Sequence, residues 1–419
     1  MPNSLKQPKE QELLDFMLLY AKLYLASGGP TSRLEDSLVK VGAKYGKHAE
    51  VFATPTGIFV TTQDIAHQSD PRTALMRLKE TGTNLAQLSM LEQVYTDVID
   101  GRLTIHAGLE TLKNPIITRS VYSSWQTALA AFFTGFVICF DAYQRLDNAF
   151  ISGLITVLVW AFTTHILKRA IGNPIFTDFA GAFLTLVLAA VAHGLIAPAS
   201  IEAYAVGGIV LLVPGLALTT AIAELADQNL VSGTARFMQA VLALLALGLA
   251  YLLFQQMAFS LGIRTALLPT VAKAKIIWIS GLALLVNVTC FGVILKTPKK
   301  SLLFCTITGL GGWMVLQFFQ QGVAAAAAPF LGSLAVGLLS LSFGKIFRQP
   351  SQLYSVPGIV AMLPGMLALS GFRYFASGDQ ETGIEFTFKV AVTAVSIVFG
   401  LMSARIPFII GGRYRQFLR

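Results

Sequence analysis

Residues Gly208–Val241 read GIVLLVPGLALTTAIAELADQNLVSGTARFMQAV, and the fold turns on this stretch. It opens as an apolar helix, meets Pro214-Gly215, and closes through a polar turn into a second apolar run. Proline removes a backbone N–H and glycine loosens the chain, so the pair breaks or kinks a helix. At membrane depth the released carbonyls need bonds from neighbouring helices, or must face a cavity or ligand. The same text returns 150 residues later as GIVAMLPGMLALSGF, from Gly358. Pro364-Gly365 then falls opposite Pro214-Gly215, and Gly383 opposite Gly233. Interrupted spans at corresponding positions of two halves point to a transporter's binding site.

Composition agrees with a chain held mostly in lipid. Of the 419 residues 54% are hydrophobic and 13% charged, with mean hydropathy +0.66; soluble domains carry about 25% charged residues. The net charge of +9 belongs wholly to the part after residue 120, because residues 1–120 hold 13 basic and 13 acidic side chains. There it reads as positive charge in loops rather than as a nucleic-acid patch. Cys139, Cys290 and Cys305 lie in or beside apolar runs and make neither a disulfide framework nor a metal site. The polar opening MPNSLKQPKEQE has no signal-peptide core, so the first part is expected to stay in the cytoplasm.

Residues 1–118 predict a small α+β domain. A helix over Leu13–Leu25 stops at Ser27-Gly28-Gly29-Pro30, and a second, capped by Thr31 or Ser32, runs to about Tyr45. AEVFATPTGIFVTT, from Ala49, reads as a hairpin, and helices follow near Leu85–Asp100 and Ile105–Leu112. His48, His67 and His106 and the cluster Arg33, Glu35 and Asp36 sit in no nucleophile elbow, P-loop or HExxH.

Ten runs of bilayer-crossing length follow, at 121–140, 149–167, 178–197, 201–223 and 236–260, then 276–295, 301–320, 323–344, 353–372 and 386–408. With the N-terminal domain inside, 12 basic residues (Lys168, Arg169, Arg236, Lys296, Lys299, Lys300, Lys345, Arg348, Arg405, Arg413, Arg415 and Arg419) face the cytoplasm. Six (Arg145, Arg264, Lys273, Lys275, Arg373 and Lys389) face out. Five spans is an odd number, so residues 119–262 and 263–419 form a 5+5 inverted repeat, the arrangement suited to alternating access.

Ionisable residues in spans are costly and functional by default. Asp178, at the start of the third span, and Glu202, opening the fourth, are the candidates for proton coupling; His193, Glu224 and Asp227 read as interfacial. Thr219 and Thr220, one turn past Pro214-Gly215, either bond back to freed carbonyls or line a polar site. Asn287, with Thr289 beside it in the sixth span, suits an amino or carboxylate group or serves as helix–helix glue. Ala324–Ala328 reads as close helix packing.

With these residues in view, the chain resembles the threonine/serine exporter family. The likeness is carried by SGGPTSRLEDSLVKVGAKYG and VFATPTGIFV near the start, by LVPGLALTTAIAELADQNLVSGTARFMQA from Leu212, and by SVPGIVAMLPG at Ser355–Gly365, which is similar to the smaller subunit of a two-subunit version. The resemblance implies a cytoplasmic domain ahead of about ten transmembrane helices in the plasma (inner) membrane. It implies efflux of small polar metabolites driven by the proton gradient, threonine and serine in some members and dicarboxylates such as succinate in the two-subunit version. The implied partners are that substrate, protons and the lipid bilayer; no nucleic acid, cofactor, metal or catalytic site is expected, and a homo-oligomer is left open. Substrate would bind at Pro214, Gly215, Thr219, Thr220, Asn287, Pro364 and Gly365, with Arg236 or Arg373 available to a second carboxylate. The copies differ, since Leu369-Ser370 stands opposite Thr219-Thr220 and Phe386 opposite Arg236. A different class of reading, a membrane-anchored hydrolase working through Arg33, Glu35, Asp36 and Thr56, would need far fewer spans.

Overall fold

A computed structural model of the chain describes residues 10–64, 70–78, 82–195, 200–263, 277–320 and 327–408. Outside the description lie His67, the expected loop charges Arg264, Lys273, Lys275, Arg413, Arg415 and Arg419, residues 324–326 of the alanine run, and the side chain of Arg373.

In the N-terminal part, α1 (Glu10–Ala26) buries Leu13, Phe16, Met17, Tyr20 and Tyr24 at helical spacing. The chain then turns through Gly28, whose φ of +86° only glycine adopts without strain. Gly29 follows, where a Cβ would stand 2.2 Å from the Tyr24 ring. Pro30 sets the extended approach to α2 (Thr31–Lys44). The expected hairpin is β1 (Lys47–Thr54) against β2 (Gly57–Asp64), closed by the Thr54–Gly57 pair. A third antiparallel strand, β3 (Arg72–Arg77), extends it in the order β1-β2-β3. The sequence reading missed β3 because this edge strand is largely exposed and shows no buried face. Asn84 caps α3 (Leu85–Ile99) and Thr104 caps α4 (Ile105–Lys113).

The membrane part begins with α5 (Ser124–Tyr143) and α6 (Leu146–Ala161), which passes through a π-helical stretch (Phe162–Leu167) into α7 (Lys168–Ala170). Then come α8 (Pro174–Leu195), the broken pair α9 (Ile201–Leu212) and α10 (Gly215–Ala226), and the 31-residue α11 (Leu230–Ser260). A second series follows: α12 (Ile277–Ile294), α13 (Leu302–Gln320), α14 (Ala327–Phe347), α15 (Gln352–Gly358), α16 (Gly365–Ala376) and α17 (Gln380–Ser403). Among the described residues nine helices are long and apolar enough to cross a bilayer, not the ten expected. The run expected at 353–372 is divided into α15, a 3-10 turn (Val360–Met362) and α16. Two prolines divide it. Pro364 stands at the break shared with α9–α10, and Pro357 lies inside α15 at the position where the first copy has Gly207. Pro357 has no N–H for the carbonyl of Leu353, which accepts the Cys305 Sγ–H at 3.0 Å instead. The carbonyl of Ala203, 150 residues earlier, accepts Cys139 Sγ–H at 3.1 Å.

Close packing fixes α9 against the first hairpin. A Cβ on Gly207 would stand 2.4 Å from Gly135 Cα in α5 and 2.6 Å from Thr156 Oγ1 in α6. Gly207→Val should therefore force these helices apart, a strain of about 1–3 kcal/mol. A fall of several degrees in the melting temperature of the purified protein is the expected reading.

Local geometry repeats at the 150-residue offset. Asn229 N–H bonds Glu224 O and Gly233 N–H bonds Asn229 O; Asp379 N–H bonds Tyr374 O and Gly383 N–H bonds Asp379 O. Gly233 is seated on Leu225 and Gly383 on Phe375. Across the halves, α10 packs on α17 and α11 on α16.

The N-terminal domain sits on one end of this bundle and touches both series. Thr31 N–H points at Glu224 Oε1 (3.4 Å) at the end of α10. Leu85 and Ala86 N–H donate to the carbonyls of Leu295 and Lys296 (3.1 and 2.9 Å) just past α12. Leu353 and Tyr354 of α15 belong to the domain's own apolar core. So α9–α10 runs toward the domain, and α15–α16 runs away from it.

Candidate functional site

The two Pro-Gly breaks meet. Val213 and Leu363, each preceding a proline and held extended, lie over the glycine of the opposite break. A Cβ at Gly215 would stand 3.1 Å from Leu363 Cβ, and one at Gly365 3.2 Å from Val213 Cγ1. Both contacts are tighter than ordinary van der Waals packing, so any side chain at either place makes the opposite segment give way. Between them is a small crevice lined by Val213, Pro214, Gly215 and Leu218 from one copy, by Pro364, Gly365 and Ala368 from the other, and by Leu244 and Val390. Every lining side chain is apolar. The polarity at this point comes from backbone: α10 and α16 both begin here, and the first amides of a helix have no partner within it. Two positive helix ends thus converge on one apolar crevice, an arrangement suited to a carboxylate.

The remaining sequence candidates lie elsewhere. Thr219 Oγ1 bonds the carbonyls of Gly215 and Leu216 (3.2 and 3.0 Å), and Thr220 Oγ1 those of Leu216 and Ala217 (2.9 and 3.0 Å). Their hydroxyls bond back within the first turns of α10 itself, not to the Val210 carbonyl that Pro214 leaves without its helical N–H. Replacing both by Val should leave export within about twofold and cost about 1 kcal/mol of stability for each lost bond, measurable as rate and melting temperature of the same preparation. Asn287, on α12, does not line the crevice; its Oδ1 is buried without a hydrogen-bond partner among the described residues. Thr289 Oγ1 is engaged by Leu285 O and Thr306. Asp178 lies one turn into α8, and Glu202 two residues past the Ser200 that caps α9; neither lines the crevice. In the N-terminal domain Arg33 is held by Glu92 and Glu35 by the Ala53 amide (2.8 Å). Burial pushes the Glu35 carboxyl above its ordinary range; the Ala53 bond opposes this, and Asp36 and Glu224 add to it.

Sequence reading placed Glu224 at a wet span end, yet its side chain is only 5% exposed. Ser232 Oγ donates to Oε2, Arg236 Nε stands 3.2 Å from Oε1, and Thr31 N–H reaches the same oxygen. No local signal marks this cluster, because Thr31 lies 193 positions away. At the equivalent corner of the second copy Tyr374 and Phe386 stack, with ring centroids 5.3 Å apart.

Comparison with known proteins places these features. A family model described as "Putative threonine/serine exporter" matches residues 15–257, and one described as "Threonine/Serine exporter, ThrE" matches residues 280–406. A threonine/serine exporter of Corynebacterium glutamicum is 25% identical, over 66% of this chain and 54% of its own length. Pheromone-regulated membrane protein 10 of Eremothecium gossypii is 21% identical, over 92% of this chain and 53% of its own. An uncharacterized protein of Schizosaccharomyces pombe is 22% identical, over 93% and 50%. The chain spans about half the length of these curated relatives. No solved structure matches it.

Proposed function

Because the chain belongs to the threonine/serine exporter family, we propose that it is a secondary active exporter of threonine and serine, working by alternating access about its two Pro-Gly breaks. The observation that carries the reading is the reciprocal seating of Val213 on Gly365 and Leu363 on Gly215. Substrate passes between Pro214-Gly215 and Pro364-Gly365, its carboxylate drawn to the positive helix ends at which α10 and α16 open. With Leu363 on Gly215 and Val213 on Gly365 the two breaks lie against each other, which we read as a closed form. Parting them on one side and then on the other carries the substrate through.

We count the divided run at 352–376 as a tenth span, giving a 5+5 inverted repeat. The repeated bonding at the 150-residue offset and the opposite directions of α9–α10 and α15–α16 support this. The N-terminal domain is read as cytoplasmic by the balance of loop charge, and the plasma membrane as the location follows from the family. Asp178 and Glu202 are the groups proposed to carry the coupling proton, and Asn287, with its unpartnered Oδ1, is kept as a polar contact that substrate reaches when the breaks part.

The test is export of labelled threonine, serine and succinate from loaded proteoliposomes, with and without an imposed proton gradient. Gradient-stimulated movement of threonine or serine is the expected result. Movement of none of the three, in vesicles shown to hold folded protein, would overturn the assignment.

A further inference from the structure

Two opposite charges stand on the path's N-terminal-domain side, outside the crevice. Glu224 lies nine residues beyond Gly215, about 13 Å at the rise of an α-helix. Its partner Arg236 is 17% exposed and Glu224 itself 5%. The pair is poorly made. Although Arg236 Nε is 3.2 Å from Glu224 Oε1, its buried N–H is not aimed at any acceptor, and the guanidinium hydrogen-bonds no described residue. The Thr31 amide is a long 3.4 Å from Glu224.

The same chain shows how it builds an ion pair meant only to hold. Arg33 grips Glu92 in a fork, with Nε to Oε1 at 2.6 Å and a terminal nitrogen to Oε2 at 2.8 Å. A buried Nε–H without an acceptor is costly unless something else takes it. Glu224 likewise has acceptor capacity beyond Ser232.

We infer that Glu224 and Arg236 form a recognition site for an α-amino acid zwitterion. Arg236 takes the carboxylate, Glu224 and Ser232 take the ammonium group, and the two side chains part to admit it. This deepens the exporter reading and rests on it. A dicarboxylate would meet Arg236 favourably but Glu224 unfavourably, so the pair selects against it. The equivalent corner of the second copy carries the Tyr374–Phe386 stack and no such pair. Recognition by charge therefore operates at one end of the path, the end where α2 of the N-terminal domain covers Glu224 through Thr31.

The experiment is competition against labelled threonine export by the full chain in proteoliposomes. The competitors are threonine, its amino alcohol (ammonium only) and 2,3-dihydroxybutanoate (carboxylate only). Glu224→Gln should weaken threonine by at least about tenfold, the scale of one charge-assisted hydrogen bond, and leave dihydroxybutanoate unchanged. Arg236→Gln should do the same to threonine and spare the amino alcohol. Glu224→Asp and Arg236→Lys keep the charges and should retain part of the selectivity, which covers a Gln variant that fails to fold. If all three competitors weaken by one common factor, or none changes, the pair is structural and the inference falls while the exporter reading stands. If the unaltered protein exports no threonine, the exporter reading fails instead. Threonine-induced thermal stabilisation of the same protein, present before and lost after each Gln substitution, then decides the pair alone, and its absence overturns it.

Discussion

Gly215→Val is expected to stop export while the protein stays in the membrane at near wild-type abundance. Even a Cβ at this position would stand 3.1 Å from Leu363 Cβ and 3.4 Å from Leu363 Cδ1, and valine adds two more methyl groups. Overpacking of this kind costs about 1–3 kcal/mol, a strain spread over a large packed helical chain. Under the proposed alternating access the seam between the breaks is where it tells, because Leu363 would have to slide past Gly215 each time they part. A loss of at least about tenfold in rate, the equivalent of about 1.4 kcal/mol on the barrier, is the outcome to look for. Gly215→Ala, lacking those methyls, should fall between the two. Rates per folded molecule, from fluorescence size-exclusion and labelled threonine efflux, check this.

Arg33→Ala should be far more damaging than Glu92→Ala, although each removes one half of the same ion pair. The Glu92 side chain is 7% exposed and the Arg33 side chain 49%. Without Arg33 a buried carboxylate is left with only the Tyr24 hydroxyl at 3.3 Å; without Glu92 the guanidinium turns to water. Breaking a fully buried pair costs about 3–5 kcal/mol, and the half-exposed arginine reduces this to about 2–3 kcal/mol for Arg33→Ala. Limited proteolysis should cut the N-terminal domain readily in Arg33→Ala and little in Glu92→Ala. Equal sensitivity of the two would contradict the burial argument.

The parts of this molecule legible in its sequence are those written in local text. Pro-Gly at two places 150 residues apart announced the broken helices, and Thr54-Pro55-Thr56-Gly57 announced the hairpin. Both rest on backbone rules that need no partner. What was not legible depends on partners. Glu224 looked like an interfacial acid because the groups that bury it come from α2 and from the far side of the α10–α11 corner. Thr219 and Thr220 read as equally fit for substrate and for backbone, and the bonds they make to the Gly215, Leu216 and Ala217 carbonyls depend on helix geometry that the residue types do not announce. In the run at 353–372 the break at Pro364-Gly365 was legible but the second division was not, because an apolar run masks Pro357, whose effect on α15 shows only when the Leu353 carbonyl is found bonded to Cys305. The role of SGGPTSR was hidden for the same reason. Its glycines admit the Tyr24 ring and its Thr31 amide faces a glutamate 193 residues on.

The central claim is that the two breaks move apart during transport, and one disulfide tests it. Val213 Cβ lies 3.5 Å from where a Cβ on Gly365 would stand, within the range a disulfide spans. Val213→Cys also removes the methyl that a side chain at Gly365 would strike. With Cys139, Cys290 and Cys305 replaced by Ala, the Val213→Cys/Gly365→Cys protein is oxidised, reconstituted and assayed for threonine export, then reduced and assayed again. The account predicts no export from the oxidised form and recovery on reduction to the level of the two single variants. Export at the reduced rate by protein shown to be fully crosslinked would contradict it.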